Sequence, residues 1–238
     1  MKLALFGQGG MGSLVETRAR EAGHVVTATF TDRDAGRSVG DIAASLQGSD
    51  VAVDFSTGAA VPDHVRACVE ARVPLVEGTT GWGPQLADVR KVVEAGKGAM
   101  IYGANFSIGV NLFYRIVAVA AQQLGRDPSY GAFIEEAHHV RKKDAPSGTA
   151  LKLKNIVAVA FGSGIPVAST RAGNIPGTHR VGFDGIADQI LLTHTARSRE
   201  GFAAGALLAA KWILDRKGVY EFTEVLDEIL ASAKETGR

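Results

Sequence analysis

Two adjacent imidazoles, three cationic side chains, a proline turn and a Ser-Gly-Thr helix start fall within the sixteen residues from Glu135 to Ala150. Histidine titrates close enough to neutrality to give or take a proton during a reaction. A lysine such as Lys142 is a point charge that can hold a carboxylate or stabilise developing negative charge. Neighbouring imidazoles and cations repel one another when charged, so the cluster costs stability unless an anionic partner or a proton-transfer task offsets it. Two bland readings stand beside this one. A run of charge is usually a solvated loop, and paired histidines are often a metal site or a structural pair. No third ligand stands near His138 and His139 at a suitable spacing, so metal is the weaker reading.

The elements that must position such a site follow from periodicity. Leu3 to Phe6 is a short apolar run that ends in Gly7-Gln8-Gly9-Gly10-Met11-Gly12, after which Leu14, Val15, Ala19 and Ala22 recur at helical spacing. Val25 to Thr31 alternates as a strand and ends at Asp32-Arg33. The glycine pattern is weak alone, but here it joins a strand to a helix and is followed twenty residues after Gly12 by an acid. Gly7 permits the tight turn, Gly9 lets backbone approach a pyrophosphate, and Gly12 lets helix and strand pack closely. Freed N–H groups and the helix dipole then face the phosphates. Asp32 suits the ribose hydroxyls and Arg33 a 2′-phosphate, which leaves the choice between NADH and NADPH open.

Strand and helix go on alternating. Strands are expected at Val51–Phe55, Pro74–Val76 and Met100–Tyr102, with helices at Ala59–Ala71 and Leu86–Ala95. That order implies an open parallel sheet, in which ligands lie beyond the carboxyl ends of the strands. Gly78, Thr79 and Thr80, and Ala104, Asn105 and Phe106, occupy two such loops and are candidates to cradle the ribose and nicotinamide. From Gly109 on, long helices at Val110–Leu124 and Ser147–Phe161 alternate with strands at Tyr130–Ala137, Val167–Arg171, Thr178–Asp184 and Ala187–Thr195, read as antiparallel or mixed. Helices near Glu200–Arg216 and Thr223–Ala233 close the chain. The fold class is therefore α/β: a Rossmann-like parallel sheet domain, 1–104, and an α+β domain with a mixed sheet, 105–216. A return of the final helix, about 217–238, to the first domain is left open.

A length of 238 residues suits one large or two modest domains, and a net charge of +1 supplies no global field for nucleic acid or an anionic membrane. The only cysteine, Cys68, excludes an intrachain disulfide and reads as a small buried apolar residue. No run is apolar for long enough to span a bilayer, and the expected location is the cytoplasm. His24, His64 and His179 read as surface or structural, while His194 and Arg199 are left open between an outer-layer role and the substrate's edge.

The stretch Glu136-Ala137-His138-His139-x-x-Lys142-x-Asp144-Ala145-Pro146-Ser147-Gly148-Thr149-Ala150 resembles the signature of the dihydrodipicolinate reductase family of bacterial lysine and diaminopimelate biosynthesis. Asp54-Phe55-Ser56, Gly78-Thr79-Thr80-Gly81, Asn105-Phe106-Ser107-x-Gly109-Val110-Asn111 and Thr193-His194-Thr195-Ala196-Arg197-Ser198-Arg199 add weaker likeness along nearly the whole chain. The resemblance implies a dinucleotide domain, a substrate and tetramerisation domain, a homotetramer, and NADH- or NADPH-dependent reduction of 4-hydroxy-tetrahydrodipicolinate, a cyclic dicarboxylate. It assigns His138 as general acid, Lys142 as the catalytic lysine, and His139, Ser147, Gly148 and Thr149 as substrate contacts. One departure is plain: many members carry an arginine just before the Met-Gly pair, where this chain has Gly10. A related imine or oxo-acid reductase, or a non-catalytic dinucleotide sensor, is the competing reading, and a sensor would need neither His138 nor Lys142.

Overall fold

The computed structural model describes residues 1–236, which fold into two compact units: Met1–Ile108 with the chain from Arg199 on, and Gly109–Ser198. The first unit begins with β1 (Lys2–Phe6), α1 (Gly10–Glu21), β2 (Val25–Phe30), α2 (Val39–Leu46), β3 (Val51–Asp54), α3 (Val61–Ala71), β4 (Leu75–Glu77), α4 (Leu86–Ala95) and β5 (Ala99–Tyr102). Then come α5 (Ile108–Leu124), β6 (Gly131–His138), α6 (Gly148–Phe161), β7 (Val167–Arg171), β8 (Thr178–Asp184) and β9 (Gln189–Thr195). The chain closes with α7 (Glu200–Ile213), β10 (Gly218–Glu221) and α8 (Leu226–Thr236).

Six parallel strands in the order β10-β5-β4-β3-β1-β2 form the first sheet. Its order reverses at β1, which has β2 on one side and β3 on the other. Alternation along β1 supplies both faces: Leu3 and Leu5 join one core cluster, Ala4 and Phe6 the other. Cys68 is buried in the second cluster, as its apolar reading anticipates. The first turn is built for close approach. Gly7 has φ +86°, and a Cβ on Gly12 would stand 1.9 Å from the Gly7 carbonyl oxygen, so no side chain fits there.

In the second unit β6, β8 and β9 are antiparallel and β7 adds to β6 in parallel, in the order β7-β6-β8-β9. The mixed sheet expected from sequence is therefore present. Val117 of α5, Leu153 and Val157 of α6, and Ile134, Val181 and Phe183 of the sheet form its core. The opposite sheet face stays open, with Glu135, Ala137, Ala168, Thr170, Thr178 and Arg180 lining a shallow hollow.

Three expectations need correction. The boundary placed at 104/105 falls at 108/109, and the second unit ends at Ser198, not at 216. Helix α7 belongs to the first unit because Ala203, Ala206, Ala209, Ala210 and Ile213 pack into the cluster holding Leu3, Val53 and Ile101. The stretch expected as one returning helix, about 217–238, begins with strand β10, which pairs with β5; its last two residues lie outside the described ones.

Candidate active site

The loops at the carboxyl ends of the parallel strands surround a cleft of about 740 Å³. Gly7, Gln8 and Gly9 line it from the turn after β1, Asp32 and Arg33 from the turn after β2, and Ser56 and Thr57 from the loop after β3. Thr31 sets the turn after β2, its hydroxyl accepting from Arg33 N at 3.3 Å while Asp34 Oδ2 accepts from Thr31 N at 2.8 Å. That leaves the Asp32 and Arg33 side chains exposed.

A second hollow of the same unit, about 230 Å³, gathers Met11, Gly78, Ala104, Asn105 and Phe106 with Phe55, Arg199 and Phe202. Arg199 immediately precedes α7, and its guanidinium lies 3.2 Å from where a Cβ on Gly10 would stand. The chain thus brings an arginine to the glycine turn from far along the sequence. Gly10, Gly12, Thr79 and Thr80 line neither hollow. Thr79 turns inward instead: its hydroxyl donates to Asp54 Oδ1 at 3.0 Å and its N–H to Glu77 Oε1 at 2.6 Å. Asp54 also accepts from Ser56 N at 2.8 Å and meets His64 Nδ1 at 2.6 Å, so one buried carboxylate ties the loops after β3 and β4 to α3. Burial, then the nearby Asp54 charge, pushes the Glu77 carboxyl well above its ordinary range.

In the second unit the polar cluster stands where β6 runs into the loop before α6. Glu136 and His138 face the same side of β6, and His138 Nδ1 bonds Glu136 Oε2. The register sets His179 of β8 opposite Glu136 and Arg171 of β7 beside His138. The His138 and His179 rings meet edge to face at 5.0 Å. Ser147 caps α6, accepting from Ala150 N at 3.2 Å, and its hydroxyl bonds His179 Nε2 at 3.0 Å. Gly148 is exposed and Thr149 half-buried at the first turn of α6, where backbone N–H groups lack helical acceptors. Lys142 pairs with Asp144 at 2.9 Å, and His139 is half-buried with no partner for its Nδ1 among the described residues.

Sequence reasoning placed His138, Lys142 and Ser147 together and missed Arg171 and His179. His179 is no surface residue: burial, then the neighbouring His138, pushes it down to about 4. The absence of a third ligand also needs correction, since donor atoms of Glu136, His138 and His179 lie within 4.8 Å of one another. Both oxygens of that carboxylate, however, carry the Arg171 guanidinium. Burial opposes the charged form of Glu136, yet hydrogen bonds from Arg171, Ser169 and His138 hold it below the usual carboxylate range. Burial pushes His138 down as well, against the pull of Glu136.

A switch-point glycine turn on a parallel sheet, joined to a unit that assembles a buried histidine and a lysine around a helix start, defines a dinucleotide-dependent oxidoreductase. The comparisons with known proteins agree and narrow the class. A family model described as "Dihydrodipicolinate reductase, N-terminus" matches residues 1–106, and one described as "Dihydrodipicolinate reductase, C-terminus" matches 109–226. The chain belongs to the dihydrodipicolinate reductase family. It is 34% identical to the 4-hydroxy-tetrahydrodipicolinate reductase of Christiangramia forsetii, over 96% of this chain and 99% of the relative. It is 36% identical to that of Archaeoglobus fulgidus, over 95% and 100%. A dipicolinate-bound dihydrodipicolinate reductase from Paenisporosarcina sp. TG-14 shares the fold with a TM-score of 0.80 at 23% identity, over 94% of this chain and 99% of that one.

Proposed function

We propose that the protein reduces 4-hydroxy-tetrahydrodipicolinate, or the cyclic imine derived from it, to tetrahydrodipicolinate at the expense of NADH or NADPH. The observation that carries this reading is the buried pairing of His138 with Glu136 beside the capped start of α6, in a chain aligned over nearly its full length with relatives named for that activity. When bound, the reduced dinucleotide supplies the hydride. Gly7, Gln8 and Gly9 would hold its phosphates, with Gly12 letting α1 pack against that turn, Asp32 and Arg33 would hold its adenosine ribose, and Met11, Gly78 and the loop at Ala104–Phe106 its nicotinamide half. Asp32 favours free ribose hydroxyls and Arg33 a 2′-phosphate, and their exposure side by side supports use of both cofactors.

Within the second unit, Ser147, the N–H groups of Gly148 and Thr149, and His139 receive a substrate carboxylate. Lys142 leaves Asp144 to hold the negative charge that hydride addition builds. His138 delivers the proton that quenches it. The open sheet face fits a homotetramer assembled sheet against sheet.

The test couples the purified protein to the preceding synthase and follows oxidation of NADH and NADPH separately. Turnover with at least one cofactor is expected; no oxidation of either overturns the enzymatic reading. Lys142→Ala is expected to lower kcat/KM by at least ~10²-fold, the lower end of what a positioned catalytic group contributes. Near-normal turnover in that variant would remove Lys142 from the reaction.

A further inference from the structure

Arg171 ends edge strand β7 and is side by side with His138 in the parallel register. Its side chain is 17% exposed, and its fork closes on a carboxylate with no exposure at all: Nη1 donates to Glu136 Oε2 at 3.0 Å and Nη2 to Oε1 at 2.7 Å. The same Nη2 donates to the Asp144 carbonyl, in the loop that carries Lys142. A carboxylate this buried stays ionised only when a cation and hydrogen bonds replace its water, and a bidentate guanidinium supplies both. An ionised Glu136 has no proton to donate, so in the pair it forms with His138 the hydrogen must sit on Nδ1. The only ring nitrogen left to exchange a proton is Nε2.

We infer that Arg171 is a positioning residue for the reduction: by keeping Glu136 ionised it fixes His138 as the Nδ1–H tautomer with Nε2 as the proton-transferring atom, and through the Asp144 carbonyl it holds the Lys142 loop to the same anchor. The inference rests on His138 as the proton donor. The proton balance is simple. Uptake at Nε2 gives an imidazolium whose charge faces Glu136, and cleavage of that Nε2–H bond passes the proton to the substrate and returns the neutral ring. A metal ion on the same three side chains fits less well, because the guanidinium already occupies both carboxylate oxygens and would repel it. Lysine at position 171 would keep the charge and lose the fork.

The experiment combines nitrogen-15 NMR of the His138 ring with steady-state kinetics on the full chain and its Arg171→Met, Arg171→Lys, Glu136→Gln and His138→Gln variants. Wild type is expected to show a protonated Nδ1 and a titrating Nε2. Arg171→Met is expected to lose that tautomer and to lower kcat about 10-fold or more, the lower end of what loss of the group orienting a metal-bound histidine costs, with KM for the dinucleotide unchanged. Arg171→Lys should restore part of the rate. Glu136→Gln reads the same tautomer should Arg171→Met fail to fold. A wild-type ring protonated on Nε2 alone overturns the inference, as does a full-rate Arg171→Met beside an inactive His138→Gln. A full-rate His138→Gln instead overturns the proton-donor reading itself, and this role with it.

Discussion

His179 is the residue whose chemistry the fold changes most. Buried against His138 and bonded to Ser147, it titrates at about 4 in the folded protein, against about 6.5 in an unfolded chain. Between those values the unfolded state binds more protons than the folded one, so stability rises with pH through that window. The contribution lost below it is up to about 3 kcal/mol. Thermal melts from pH 7.5 down to 4 are expected to show a steep fall in Tm that flattens in His179→Gln; equal slopes in the two proteins would contradict this. Nothing in the local sequence announces the role. Glu136, His138, Lys142 and Ser147 are legible because they sit in one short stretch, but Arg171 and His179 reach them only through the register of β7 and β8 against β6. A one-residue slip of β7 would send Arg171 to the opposite face, and one of β8 would do the same to His179.

At the scale of elements, most strands and helices were legible from their periods, and the misses have physical reasons. Helix α2 is short, with Ile42, Ala43 and Leu46 as its buried residues. Its signal was the cap, since the Ser38 hydroxyl accepts from Asp41 N at 3.1 Å. Strand β10 has four half-buried residues, and its partner β5 lies more than a hundred positions earlier. Helix α7 passes the loop after β5 so closely that a Cβ on Gly205 would stand 1.8 Å from the Phe106 carbonyl oxygen. Gly205→Ala is therefore expected to push α7 off that loop, to cost about 1–3 kcal/mol as overpacking does, and to weaken reduced-dinucleotide binding, because Phe106 walls the smaller hollow. A melt and a fluorescence titration both matching wild type would refute it.

At the scale of the molecule, the two-unit α/β plan was legible and its seams were not. The alanine-rich face of α7 does not say in sequence which sheet it covers; the structure gives it to the first. That unit is closed by residues beyond the second. Phe222, Leu226 and Ile229 are fully buried in its larger cluster, and at about 1.5–3 kcal/mol for each buried side chain they contribute on the order of 5 kcal/mol or more. This is comparable with the whole stability of a domain. A chain ending at Arg216 is expected to lose its cooperative melt and its dinucleotide binding, and wild-type calorimetry from that truncation would show the closing segment to be dispensable. The interrupted wiring also sets an order of events during synthesis. Five strands of the parallel sheet leave the ribosome before the second unit, but β10, α7 and α8 emerge only after it. The second unit, contiguous from Gly109 to Ser198, can fold while the first still waits for its last strand, so the glycine turn after β1 is among the first parts made and the last secured.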